Sequence, residues 1–114
     1  MEISTILFWL LLVAMAMPSV YFGYTKLIGQ ADKVALFKRF GYPLWFMKLV
    51  GLGESTAGVG LLFAPMRHMA IGILAIILVG AIVSHLRAKD SFNEVMKPVF
   101  VFIHLTIIFI FTIL

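Results

Sequence analysis

Apolar residues gather in four runs, at about 3–28, 44–64, 69–86 and 98–114, separated by short polar connections rich in Lys and Arg. Each run is close to the roughly 17–25 residues that a helix needs to cross a hydrocarbon core. The pattern predicts a single all-α domain, a four-helix transmembrane bundle. Pro18 sits inside the first run, where it kinks a helix or frees a carbonyl for a neighbour. Pro98 suits the first helical position of the last run, because its missing N–H is not needed there. In the first connection Val34, Ala35, Leu36, Phe37 and Phe40 mix with Lys33, Lys38 and Arg39, which predicts a short helix lying in the interface. Gly41 breaks it and Pro43 starts the next helix. The second connection, around Pro65 to Met69, reads as a tight turn. The third holds Ser91 and Glu94 at capping-box spacing, one helical turn before Pro98.

Composition supports lipid as the solvent: 63% of residues are hydrophobic and 12% charged, against about a quarter charged in soluble domains. The absence of cysteine excludes disulfides, CxxC dithiols and thiolate–metal sites within this chain. The N-terminus lacks a basic n-region, and its apolar run continues past Pro18, so it reads as a retained first helix. The net charge of +4 comes from the connections. Lys26, Lys33, Lys38, Arg39 and Lys48 surround the first, and Arg87, Lys89 and Lys97 the third, against Arg67 on the other side. The positive-inside rule then makes both basic connections cytoplasmic and puts both termini outside. The expectation is a multi-pass protein of a bacterial inner or plasma membrane, with no nucleic-acid partner.

Glu54 lies near the middle of the second run, roughly 15 Å from its end, where an ionisable group is expensive unless paired or facing a polar cavity. The other intramembrane polar residues fall in the same half. Tyr24 and Lys48 sit roughly 6 Å in, and Tyr21 and His104 roughly 10 Å, while His85 is within a turn of its helix end. Small residues flank them. Gly51, Glu54 and Gly58 share one face; Gly53, Ala57 and Leu61 share another; Gly80 and Ser84 line up beside Ala81 and His85. Such faces let helices approach closely in lipid. The reading is a polar pocket in one half of the bundle.

Several short motifs carry a resemblance: F-G-Y-T-K-L at 22–27, G-Y-P at 41–43, G-L-G-E-S at 51–55 and A-I-V-S-H-L at 81–86. Over nearly its whole length the chain resembles the DoxX-like family of small four-helix membrane proteins. The resemblance implies kinship with subunits or relatives of a thiosulfate:quinone oxidoreductase, and with proteins that accompany quinone- and catechol-detoxifying enzymes. It also implies kinship with a partner in a mycobacterial oxidoreductase complex and with animal relatives that assist receptor assembly. Thiol chemistry, implied for some members, has no cysteine here.

The functional expectation is a pocket of Glu54, His85, Tyr21 and Lys26, with Tyr24 and His104, that binds a small hydrophobic molecule with a polar head, a quinone first. It would support membrane redox or detoxification chemistry alongside a protein partner or further copies of the chain. Glu54 reads either as a structural carboxyl or as a proton-exchanging or head-group-anchoring one. His85 reads as a helix-end imidazole or a partner of Glu54, His104 as a packed core residue or a ligand, and Lys26 as snorkelling or meeting the carboxylate. A metal site of Glu54, His85 and His104 lacks any spacing motif, so no metal is expected. No cofactor is expected beyond a bound quinone or lipid, and no nucleotide loop or haem ligation is evident. Two alternatives stand beside this reading: a non-catalytic assembly subunit and a proton-coupled carrier.

Overall fold

The computed structural model describes residues 2–114. Its described residues form five α-helices: α1 (Ile3–Leu27), α2 (Ala31–Phe40), α3 (Leu44–Gly60), α4 (Arg67–Arg87) and α5 (Phe92–Ile113), with a 3-10 turn at Ala64–Met66. The stretches Ile3–Leu27, Ala64–Arg87 and Phe92–Ile113 are long and apolar enough to cross a membrane. The second apolar run, expected to be helical to residue 64, forms a helix of 17 residues that ends at Gly60. It rises about 25 Å. Phe63 then turns extended, and Pro65 has no N–H with which to continue the ladder.

The last helix also differs from expectation. It starts at Phe92, because Ser91 caps it by accepting the Glu94 N–H at 3.4 Å. Pro98 is therefore a buried residue inside α5, not its first residue. The expected helix in the first connection is present as α2.

α1 and α3 cross at very short range. A Cβ on Gly23 would stand 2.6 Å from the Gly51 carbonyl oxygen and 2.1 Å from Ser55 Oγ; one on Gly51 would stand 2.7 Å from the Gly23 oxygen. Gly58 meets Ala16 and Val20 in the same way, at 3.0 and 2.9 Å. With no hydrophobic drive between helices in lipid, such close packing is what favours association. The core continues outward from this crossing through Leu12, Met15, Ala57, Leu61, Leu74, Leu105 and Ile108. α5 is tied to α1 by His104, whose Nε2 lies 3.0 Å from the Leu11 carbonyl. At the far end Arg67 donates from Nε to the Leu61 carbonyl at 2.7 Å, with its guanidinium over the rings of Phe8 and Trp9. That contact places a cation at the negative end of α3. Large apolar side chains cover the outside, including Met69, Ile76 and Trp45, each more than 60% exposed.

α1, α2 and α4 each end in a Schellman turn. Gln30 N–H donates to Thr25 O, Tyr42 to Phe37 O and Asp90 to His85 O, at 3.0, 2.9 and 3.0 Å. The left-handed residue is Gly29 in the first and Gly41 in the second, but Lys89 (φ 56°) in the third. This last turn brings Asp90 back onto His85.

Candidate functional site

Glu54 meets Lys26. α3 carries the carboxylate inward between Gly51 and Gly58, and the Gly23–Gly51 crossing brings the last turn of α1 against it. Lys26 Nζ donates to Glu54 Oε1 at 2.7 Å, and the two side chains are 13% and 16% exposed. Of the two readings of Lys26, meeting the carboxylate is the one the geometry realises. The pair balances the charge that made Glu54 expensive.

Beside this pair lies a cavity of about 600 Å³ between α2, α3 and α4. Its walls are largely aliphatic and aromatic: Leu36, Phe37 and Phe40 from α2, Phe46, Leu49 and Val50 from α3, Ile73, Ile76 and Ile77 from α4. Lys26 and Glu54 line one part of it; Tyr42, Ser84 and His85 line another. Ile77 packs at the level of Gly53, since a Cβ on Gly53 would touch its side chain at 3.4 Å. His85 is eight residues further along α4, so the two polar ends stand about 12 Å apart.

The second end is a network. Ser84 Oγ donates to the Gly80 carbonyl at 2.7 Å, so the 2.8 Å contact with Tyr42 is donated by the tyrosine. Arg87 in turn donates to Tyr42 OH at 3.2 Å. His85 Nδ1 sits 2.5 Å from Asp90 Oδ2, and the edge of Phe40 meets the imidazole ring at 5.1 Å between centroids. Arg39, from α2, grips both oxygens of Asp90: Nη2 donates to Oδ2 at 3.0 Å and Nη1 donates to Oδ1. The Arg39 hydrogen bonds first, then that of His85, hold the Asp90 carboxyl at about 2, well below its usual range. The same bond to Asp90 raises Arg39.

The structure thus brings Glu54, Lys26 and His85 to one cavity, with Glu54 and His85 at opposite ends and not in contact. It places the other three expected residues elsewhere. Tyr21 and Tyr24 are more than half exposed and border a shallow apolar groove on the outer face of α1 and α3. His104 packs on Leu11. Residue count gives the depth of a side chain along its helix but not the face on which it emerges, and His104 takes the packed position that was one of its two readings. Asp90, Tyr42 and Arg39, which build this network, were not among the expected residues. The available signal was one acid, Asp90, in an otherwise basic connection just past His85. Among the described residues no three His, Asp or Glu side chains are grouped to hold a metal.

A family model of the DoxX-like family matches residues 10–109. The chain belongs to the DoxX-like family. That match spans α1 from its second turn nearly to the end of α5, and so includes every residue of the cavity wall of this DoxX-like protein. Neither a curated protein nor a solved structure matches the chain. The chain's own side chains supply an ammonium–carboxylate pair, an imidazole with one nitrogen engaged, and an aromatic wall between them.

Proposed function

We propose that this DoxX-like protein is an integral membrane protein whose cavity binds a small hydrophobic molecule with polar ends, a quinone or hydroquinone by class, in support of membrane redox or detoxification chemistry. In this reading α3 is a fourth membrane-embedded helix beside α1, α4 and α5. The Lys- and Arg-rich connections face the cytoplasm, and both termini face outward. The observation that carries the proposal is the cavity itself, about 600 Å³ of mostly apolar wall with polar groups at two separated places. That volume is in the range of small-molecule sites, where apolar area supplies affinity and a few polar groups fix orientation. The protein holds and orients the ligand, and a partner supplies electrons. Native mass spectrometry with lipid extraction tests this on wild type beside Glu54→Gln. A benzoquinone-class amphiphile carried by wild type and lost in the variant supports it; two empty proteins refute it.

A second reading, a non-catalytic assembly subunit, is favoured by one observation. The Lys26–Glu54 pair adjoins the Gly23–Gly51 crossing and joins α1 to α3 directly. It predicts that Glu54→Gln weakens the fold or partner capture without any change in bound small molecules.

A further inference from the structure

The two polar ends of the cavity offer unequal hydrogen-bond chemistry. At the first, Lys26 spends one of its three N–H donors on Glu54 Oε1 and keeps two. At the second, both hydroxyl protons are committed, because Tyr42 donates to Ser84 and Ser84 donates to Gly80. Neither has a proton left for a ligand. His85 remains. Its Nε2 has no hydrogen-bond partner among the described residues, and His85 is one of the residues that line the cavity.

Which nitrogen of His85 carries the proton follows from Asp90. A carboxylate only accepts, so the 2.5 Å contact requires N–H at Nδ1. Arg39 shares the same carboxylate, donating to both of its oxygens. His85 pairs with Asp90 from the α4–α5 turn, which Arg39 from α2 also grips, and Phe40 adds an apolar edge to the ring. With the proton on Nδ1, Nε2 of the neutral ring is a lone pair.

Resting on the ligand-binding reading above, we infer that Asp90 is a specificity-determining positioning residue. By holding the His85 proton on Nδ1 it makes Nε2 an acceptor, and the cavity selects ligands that present a hydroxyl there, phenols and hydroquinones, over their carbonyl counterparts. A carbonyl oxygen would meet a lone pair in a mostly apolar wall and lose its hydrogen bond, a mismatch that polar sites discriminate strongly. Lys26, a donor, accommodates an acceptor or a hydroxyl at the far end and does not discriminate between the two forms. The selection lies with His85 and Asp90.

The test is equilibrium binding of a short-chain alkyl benzohydroquinone and the matching benzoquinone to the purified full chain, in wild type and Asp90→Asn. In the variant the Arg39 donors claim the amide oxygen, turning the amide N–H toward Nδ1 and moving the imidazole proton to Nε2. Wild type is expected to favour the hydroquinone about tenfold, and the variant to lose or invert that preference. An equal preference in both proteins overturns the inference while leaving the cavity a ligand site. Binding of neither compound to wild type overturns the ligand reading and this inference with it. Should Asp90→Asn fail to fold, ¹⁵N-histidine NMR of wild type in weakly alkaline buffer decides the matter, with the His85 signals assigned by their loss in His85→Asn. Protonated Nδ1 with a bare Nε2 upholds the inference, and protonated Nε2 overturns it.

Discussion

The Lys26–Glu54 pair makes a quantitative demand on stability. Removing one member of a fully buried ion pair costs about 3–5 kcal/mol, because the other is left uncompensated, whereas replacing both by apolar side chains is often near neutral. Here each side chain keeps about a seventh of its exposure. Lys26 lies one residue from the end of α1, so its ammonium can reach outward toward head groups when unpaired. Both facts reduce the penalty. We expect Lys26→Met and Glu54→Leu each to cost about 2 kcal/mol, and the double variant about 1 kcal/mol, which leaves a coupling of about 3 kcal/mol. Equilibrium unfolding in mixed detergent micelles, followed by the fluorescence of Trp9 and Trp45, measures all four proteins. If the single effects simply add to within about 0.5 kcal/mol, the pair does not clamp α1 to α3 and the argument fails.

Three further outcomes follow from individual residues. Gly51→Ala puts a methyl 2.7 Å from the Gly23 carbonyl oxygen, a backbone atom that cannot swing away. We expect a loss of about 2–3 kcal/mol in the same unfolding assay, with Gly72→Ala, which meets nothing within 4 Å, as the silent control. Lys89 holds the left-handed position of the α4 Schellman turn, so Lys89→Gly should stabilise by about 1 kcal/mol, read as a rise in thermal midpoint. Asp90 has a folded pKa of about 2, below its ordinary 3.8, so its contribution is complete above about pH 4 and is lost as pH falls toward 2. The stability difference between wild type and Asp90→Asn should therefore shrink across that acid window and stay flat from pH 5 upward, as acid titration of the thermal midpoint would show.

Much of the architecture is legible in the apolar runs, because lipid forces each long helix to declare itself in length and composition. α2 is legible too, from its mixture of aromatic and basic residues. Helix ends are less so. Ser91 and Glu94 signal a cap, yet the apolar pattern alone put the start of α5 at Pro98, and the end of α3 shifted from 64 to Gly60. Depth along each helix is fixed by residue count, which is why Glu54 and His85 could be expected in the same half of the chain's helices. The face is not fixed by count. Tyr21 and Tyr24 turn outward because Gly23, two residues from one and one from the other, must point at α3, while Ala16 and Ser19 occupy the rest of that contact. Asp90 escapes sequence reading for a different reason. Only the left-handed turn at Lys89 folds it back onto His85, and Lys is not a residue that announces such a turn.

The measurement that bears most directly on the cavity as a ligand site is binding to a protein in which the cavity alone has been filled. Gly80 lies on its wall, and a Cβ there meets nothing within 4 Å, so Gly80→Phe has room to start a side chain at the cavity wall while leaving Lys26, Glu54, His85 and Asp90 unsubstituted. Titration with a short-chain alkyl benzohydroquinone, on wild type and variant of equal thermal stability, should show saturable binding to the first and at least a tenfold loss in the second. Undiminished binding to Gly80→Phe would place the ligand elsewhere and contradict the account.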